Sequence, residues 1–304
     1  MGMKITFRPS GDGRFDNLMR QLVKVARNCN QESIRTRWRY YHSMRQFLRF
    51  CAERYNLQKI QNIAPKHLEA YVAYRRETGI SEKTLKGDLA AIRFWHAQIP
   101  AARFELPDNR ALGLARSPGP EDRAWTDTEY QRLLDLARRL GRTEIARAME
   151  LARELGLRLH ECYRLDRATA ERALRTGTLT VKGKGGLVRE VPLTPRAAEV
   201  LREAVRDTPP GGKLFVQPGQ KTHRAMQSAK DFVRRHRHQV ADSPERAREL
   251  EERRVGFHGL RHSYAREQYY ARGADKDAKR EVAELLGHHR PRVTDAYLAG
   301  RARE

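Results

Sequence analysis

The 304-residue sequence predicts a mainly α protein with a small β component, an α+β chain in two domains. Three observations carry that prediction. Apolar residues recur at helical spacing through most of both halves. One stretch, 178–192, instead alternates around a GKGG turn, as a β-hairpin does. Between Pro107 and Ala124 the periodicity stops: PDNRALGLARSPGPEDRA carries three prolines and two glycines, the composition of a linker. The expected boundaries are a helical N-terminal domain over 1–116, a linker to about 124, and a second domain over 125–304.

Residues 1–14 are polar with scattered Gly and Pro and read as a loose arm. A first helix runs from Phe15 to about Asn28 on Leu18, Leu22, Val25 and Ala26. A longer one spans Ser33 to about Tyr55, where Ile34, Trp38, Tyr41, Phe47, Leu48 and Cys51 form the apolar stripe. Pro65 suits the first turn of a third helix ending near Gly79, and Ser81 caps a fourth that turns Leu85, Leu89, Ile92, Phe94 and Trp95 inward. The aromatics Trp38, Tyr40, Tyr41, Phe94 and Trp95 are expected in the core rather than as platforms for stacked bases.

Beyond the linker a capping box, Thr126 with Glu129, opens a helix over about 127–140. Another covers about 143–155 and ends at Gly156, which delivers a short helix carrying Arg158 and Glu161. After the hairpin, Thr194-Pro195 starts a helix, and a strongly basic one runs from Lys221 to about Gln239. The charged segment DSPERARELEERR (242–254) is expected to be solvated or a local insertion. Three last helices, near 259–272, 275–286 and 291–298, are separated by Gly273 and Gly287.

Lys+Arg 61 against Asp+Glu 38 gives a formal charge of +23. The excess is shared: residues 1–116 carry 22 basic and 10 acidic side chains, the remainder 39 and 28. A basic tail on a neutral body is thereby excluded. Two basic domains suit the holding of one polyanion from opposite sides. Cys29, Cys51 and Cys162 lie far apart without a CxxC, which argues against a disulfide framework or a zinc knuckle and fits a reducing compartment. No apolar run approaches the ~18–20 residues of a membrane span, and the start lacks a signal-peptide core. A soluble, cytoplasmic protein without a membrane partner is expected.

The chemistry is concentrated near the C-terminus. FHGLRHSYAREQYYARG brings together His258, Arg261 and His262; LLGHHRPRVTDAYLAG adds His288, with Tyr297 nine positions on. Arginine grips phosphate through a planar fork of N–H donors. A phenol hydroxyl can attack phosphorus and conserve the energy of the broken phosphodiester in a covalent bond. Histidine moves protons near neutral pH. A second arginine and a proton donor for the leaving oxygen stand upstream: Arg158 in ELGLRLHE and Lys184 in VKGKGGLVREVPL.

With these residues the sequence resembles the tyrosine recombinases, or phage-type integrases. The family's first box, an arginine after a GL step with an acidic residue three positions on, is matched by Gly156-Leu157-Arg158 and Glu161. Its hairpin lysine in a GKG turn is matched by Lys184, its HxLRH box by His258 to His262, and its LGHxxxxxTxxY box by Leu286-Gly287-His288 through Thr294 to Tyr297. The four boxes stand in the family's order over roughly the C-terminal two thirds of the chain, whereas the N-terminal third matches in general character.

The resemblance implies a helical, SAM-like core-binding domain for DNA followed by a tyrosine-recombinase catalytic domain. Arg158 and Arg261 would relieve charge on the non-bridging oxygens of the pentavalent transition state without a metal. Glu161 would hold Arg158, and Lys184 would protonate the departing 5′ oxygen, with Lys182 its rival. His258 and His288 would manage the tyrosine proton, the division of acid and base between them being open; His262 would be a packed, hydrogen-bonded support. His289 adjoins His288 but lacks the LGH context. Tyr297 would be the nucleophile, with Tyr269 and Tyr270 as core or surface residues. HGLRH has the spacing of a zinc helix, but it lacks the Glu of HExxH, and its arginine would repel a dication.

The expected activity is therefore site-specific recombination, used in integration, excision or resolution, through a covalent 3′-phosphotyrosyl intermediate with no metal and no nucleotide cofactor. Strand exchange would need a homo-tetramer on two DNA recombination sites, in a bacterial or phage-type, nucleoid-associated setting. A type IB topoisomerase-like relaxing enzyme and a catalytically silent architectural DNA-binding protein are the alternatives. Seven residues follow Tyr297, where family members commonly carry a further helix that docks into a neighbouring protomer. That departure bears on how subunits communicate and not on the cleavage chemistry.

Overall fold

A computed structural model describes residue 3 and residues 5–114, 121–183, 186–287 and 291–299. Its contacts divide the chain into two compact units, 1–118 and 119–304. The first contains α1 (Gly13–Asn28), α2 (Ile34–Tyr55), α3 (Pro65–Glu77) and α4 (Glu82–His96). Each start has a local cause. Asp12 accepts from the N–H groups of Arg14 and Phe15, Ser33 from Thr36 and Ser81 from Thr84, while Pro65, lacking an N–H, opens α3. A side-chain cap of this kind contributes about 1 kcal/mol.

The core of this unit joins Leu18, Leu22, Met44, Phe47, Leu89 and Ile92 to the fully buried Trp95, with Tyr71 edge-on to Phe47 and Phe50. Tyr41 is buried too, and Trp38, Tyr40 and Phe94 pack against the cluster, as their spacing predicts. Ile34 departs from the expected stripe. It is 51% exposed, because the packed cluster takes up α2 only from Trp38 onward.

The second unit runs α5 (Asp127–Arg139), α6 (Thr143–Leu155), α7 (Leu159–Cys162), α8 (Arg167–Thr176), β1 (Thr178–Lys182), β2 (Val188–Pro192), α9 (Pro195–Asp207), α10 (Thr222–Val240), α11 (Pro244–Glu252), α12 (Gly259–Tyr270), α13 (Lys276–Leu285) and α14 (Pro291–Leu298). β1 and β2 pair antiparallel, from Thr178 opposite Pro192 to Lys182 opposite Val188. α6 lies within the core, with Ile145, Ala148, Met149, Leu151 and Ala152 all buried. A smaller cluster of Tyr264, Val282, Leu286 and Tyr297 gathers the last three helices.

Three stretches differ from the sequence reading. The N-terminal arm is not loose where it is described: Met3 and Ile5 are buried in the first core, and Arg27 donates to the Ile5 carbonyl at 3.1 Å. α8 escapes the periodicity because its buried positions, Ala170 and Ala173, are small; Asp166 starts it by accepting from the Thr169 N–H at 2.8 Å. The segment expected to be solvated contains α11. Ser243 caps it, Leu250 is buried, and Arg246 donates to the Glu129 carboxylate at 2.8 Å and to the Ala124 carbonyl at 2.9 Å. Glu129 is fully buried, and a buried carboxylate left without such a partner would be strongly destabilising.

Two glycines permit the packing around α12. Gly156 ends α6 at φ 61°, and a Cβ there would lie 2.5 Å from the Tyr264 ring. A Cβ on Gly259 would lie 2.5 Å from the Arg123 carbonyl and 2.7 Å from the Trp125 indole nitrogen. Among the described residues, no helix is long and apolar enough to cross a membrane.

Candidate active site

Four segments converge. The turn after Gly156 brings Arg158 and Glu161, β2 brings Arg189, the start of α12 brings His258, Arg261 and His262, and α14 brings Tyr297. The Tyr297 hydroxyl lies 3.0 Å from His258 Nε2 across 39 residues of sequence. The Tyr297 ring lies over His262, with centroids 4.5 Å apart and planes at 31°, and the Arg261 guanidinium carbon is 5.6 Å from its centroid. Tyr297 itself is 8% exposed.

Arg261 is fully buried. Its NH1 donates to the Gly156 carbonyl and its NH2 to the Leu286 carbonyl, so the guanidinium joins the turn before Arg158 to the chain just ahead of His288. Arg158 is half-buried, and both its N–H at 2.8 Å and its NH1 at 3.0 Å donate to the Glu161 carboxylate. Sequence reasoning missed the next residue. Arg189 grips the same carboxylate with both nitrogens, NH1 to Oε1 at 3.0 Å and NH2 to Oε2 at 2.8 Å. Its signal was parity: it stands two positions before the buried Val191 and opposite the buried Val181, hence on the inward face of the hairpin.

Burial and charge together set the protonation states. Burial alone would raise the Glu161 carboxyl, but the bonds and charge of Arg189, and then those of Arg158, hold it at about 2. Burial, followed by the charge of Arg158, pulls Arg261 down to about 10. Burial, then Arg261 and Arg158, lowers His258 to about 4. His258 is exposed by surface area, so water screens that shift, and its direction, toward the neutral imidazole, is what bears on the site. His262 is buried and lowered to about 3 by burial first and then by His258 and Arg123. Among these groups three guanidiniums face one carboxylate, which leaves two positive charges for an incoming anion.

The structure thus brings together Arg158, Glu161, His258, Arg261, His262 and Tyr297. Lys184, His288 and His289 lie outside the described residues. Lys182, exposed at the end of β1, is opposite Val188. The His262 ring packs against that of Tyr297, and its Nδ1 has no hydrogen-bond partner among the described residues. The Tyr269 hydroxyl donates to the Ala274 carbonyl, and Tyr270 is exposed.

The chain matches the phage integrase family over residues 123–304, and the phage integrase N-terminal family over 15–101. It belongs to the phage integrase family. The tyrosine recombinase XerC of Mesorhizobium japonicum is 29% identical over 275 residues, covering 85% of this chain and 82% of its own. XerC of Xanthomonas axonopodis pv. citri is 30% identical over 239 residues, 76% of this chain and 72% of its own.

Solved structures share the fold at lower identity. A lambda integrase dimer bound to a COC′ core site aligns with a TM-score of 0.65 at 19% identity, over 95% of this chain and 96% of that one. A lambda integrase tetramer bound to a Holliday junction gives 0.66 at 18%, over 95% and 78%. XerH recombinase in a post-cleavage complex with a palindromic difH substrate gives 0.61 at 18%, over 97% and 95%.

Proposed function

We propose that this tyrosine site-specific recombinase cuts one strand of duplex DNA with Tyr297, which becomes bonded to the 3′ phosphate and releases a 5′ hydroxyl. The observation that carries the reading is the 3.0 Å contact between the Tyr297 hydroxyl and His258 Nε2. A neutral imidazole at hydrogen-bond distance is placed to accept the phenol proton as the oxygen attacks phosphorus. The P–O5′ bond breaks as the new bond forms, and Lys184 supplies the proton that the 5′ oxygen takes. Arg158 and Arg261 supply positive charge against that on the phosphoryl oxygens, Arg261 from its buried place on the Gly156 and Leu286 carbonyls, as that charge rises toward two in the pentavalent transition state and matches the cationic excess of the site. Glu161 orients Arg158, His262 backs the Tyr297 ring, and His288 donates to a phosphate oxygen. Religation reverses these steps with a different 5′ hydroxyl, so no external energy source is needed.

Both basic halves bind the same duplex in this reading, and exchange takes place in a homo-tetramer on two DNA sites, the assembly in which lambda integrase is found on a junction. The biological role is movement or resolution of DNA elements in a bacterial cytoplasm, at the nucleoid. The relaxing-enzyme alternative has less support, because the matched relatives are named recombinases.

The test is adduct trapping on a nicked substrate from which the cut fragment diffuses away. The wild type should leave DNA on Tyr297 through a 3′ phosphate. Tyr297→Phe should fold and bind DNA normally but leave no adduct. An adduct on Tyr269 or Tyr270, or one that survives in Tyr297→Phe, would overturn the assignment.

A further inference from the structure

We propose that Arg189 is a positioning residue for strand cleavage: it holds Glu161 so that Arg158 stays available to phosphate, and it fixes the lysine-bearing hairpin against that pair. The inference rests on the function proposed above, and it names a residue that none of the family boxes quoted from the sequence contains.

The argument begins with the carboxylate. Glu161 Oε1 receives Arg158 NH1 and Arg189 NH1, and Oε2 receives the Arg158 backbone N–H and Arg189 NH2, all between 2.8 and 3.0 Å. An ionised carboxylate offers about four lone-pair sites, and these four bonds fill them. Arg158 is thereby confined to one side-chain bond with Glu161, and the rest of its fork remains for a ligand. Arginine and carboxylate otherwise favour a two-bond, parallel pairing. With Arg189 removed, two acceptor sites open beside Arg158 in a buried place where Coulomb attraction is strong, and the Arg158 fork closes onto Glu161 instead of onto phosphate. Arg189 therefore partitions the carboxylate as well as anchoring it.

The second part concerns the backbone that carries Arg189. It stands on β2 next to Val188, which pairs with Lys182, the residue where β1 ends. At Gly183, the first turn residue, a Cβ would lie 3.4 Å from Glu161 Oε1 and 3.6 Å from Arg158 NH1, so the backbone there packs directly on the ion pair. On its other side Arg189 Cδ is 3.1 Å from where a Cβ on Gly287 would be, one residue before His288. One side chain thus touches the Arg158 turn, the hairpin and the segment that leads to His288. Its own side chain is 8% exposed, which leaves the contact dry and its geometry narrow.

The experiment compares single-turnover cleavage of saturating nicked substrate by full-length wild type, Arg189→Met, Arg189→Lys and Arg189→Met/Glu161→Gln. DNA affinity and the urea midpoint are measured alongside. The expected rate of Arg189→Met per folded, DNA-bound molecule is down about 100-fold, the scale of losing one preorganised donor. Arg189→Lys, with a single nitrogen where the planar fork offers two, falls roughly 10-fold. Adding Glu161→Gln to Arg189→Met recovers about 10-fold of the loss, since a neutral amide no longer draws in the Arg158 fork. A merely structural arginine would lower the urea midpoint and leave the rate per folded molecule unchanged. Rates within about threefold of wild type for Arg189→Met, or no recovery in the double variant, overturn the inference. If Arg189→Met does not fold, Arg189→Lys decides alone: a wild-type rate refutes the role. Failure of the underlying reading looks different, because the wild type itself would then form no Tyr297 adduct.

Discussion

Acidification should weaken this fold through His262, and the size of the effect follows from its surroundings. His262 is 6% exposed, its ring against those of Tyr297 and His258, and burial first, with the nearby charges of Arg123, Arg261 and Arg266, lowers its pKa to about 3. An unfolded histidine titrates near 6.5. Because the folded value lies below the unfolded one, the unfolded chain binds more protons between about pH 6.5 and 3, and stability falls as pH falls through that window. From about pH 7 to about pH 5, linkage gives a loss on the order of 2 kcal/mol from this one ring. His258 adds less, since water reaches part of its surface. Glu161, held at about 2, keeps its stabilising contribution above the unfolded carboxyl value of about 4.3 and loses it only as pH falls from there toward 2, so it adds little between pH 7 and pH 5. Other buried histidines, His67 and His96, are also lowered, first by burial, so the informative quantity is a difference between proteins. Urea unfolding of wild type and His262→Asn at both pH values measures it. The variant should be less stable near pH 7 but should lose about 2 kcal/mol less on acidification. Equal losses would refute the assignment of a neutral, buried His262.

Two further substitutions test the packing that supports the site. Arg261→Ala should cost more stability than Arg158→Ala, because it orphans the carbonyls of Gly156 and Leu286 at about 1–3 kcal/mol each, whereas Arg158→Ala leaves Glu161 paired with Arg189; urea midpoints decide this, and equal costs would contradict the buried clamp. Gly156→Ala should impair folding and cleavage together, since the position combines φ 61° with a Cβ 2.5 Å from Tyr264; near-wild-type stability in circular dichroism melts would show that the approach relaxes freely.

The family boxes could be read because each is a local pattern of sequence: a glycine before Arg158, a GKGG run, and HGLRH at a helix start. Most helices were legible for the same reason, through caps such as Ser33, Ser81 and Thr126 and stripes such as Leu85–Leu89–Ile92. α8 and α11 were not. One buries alanines, which leave no hydrophobic stripe, and the other depends on an ion pair between Arg246 and Glu129, 117 residues apart.

The sequence by itself determined that this chain is mostly helical, strongly basic on both sides of a Pro/Gly-rich stretch, and marked by four boxes that resemble those of the tyrosine recombinases in their order. Those properties reside in composition and short-range spacing, which need no knowledge of the fold. Only the tertiary structure decided that the Tyr297 hydroxyl meets His258 within one chain, that Arg261 is buried on two backbone carbonyls, and that Arg189 shares Glu161 with Arg158. Each of these is a contact between segments tens of residues or more apart in sequence. Its distance and direction are set by the packing of helices against the hairpin, and no local pattern encodes that.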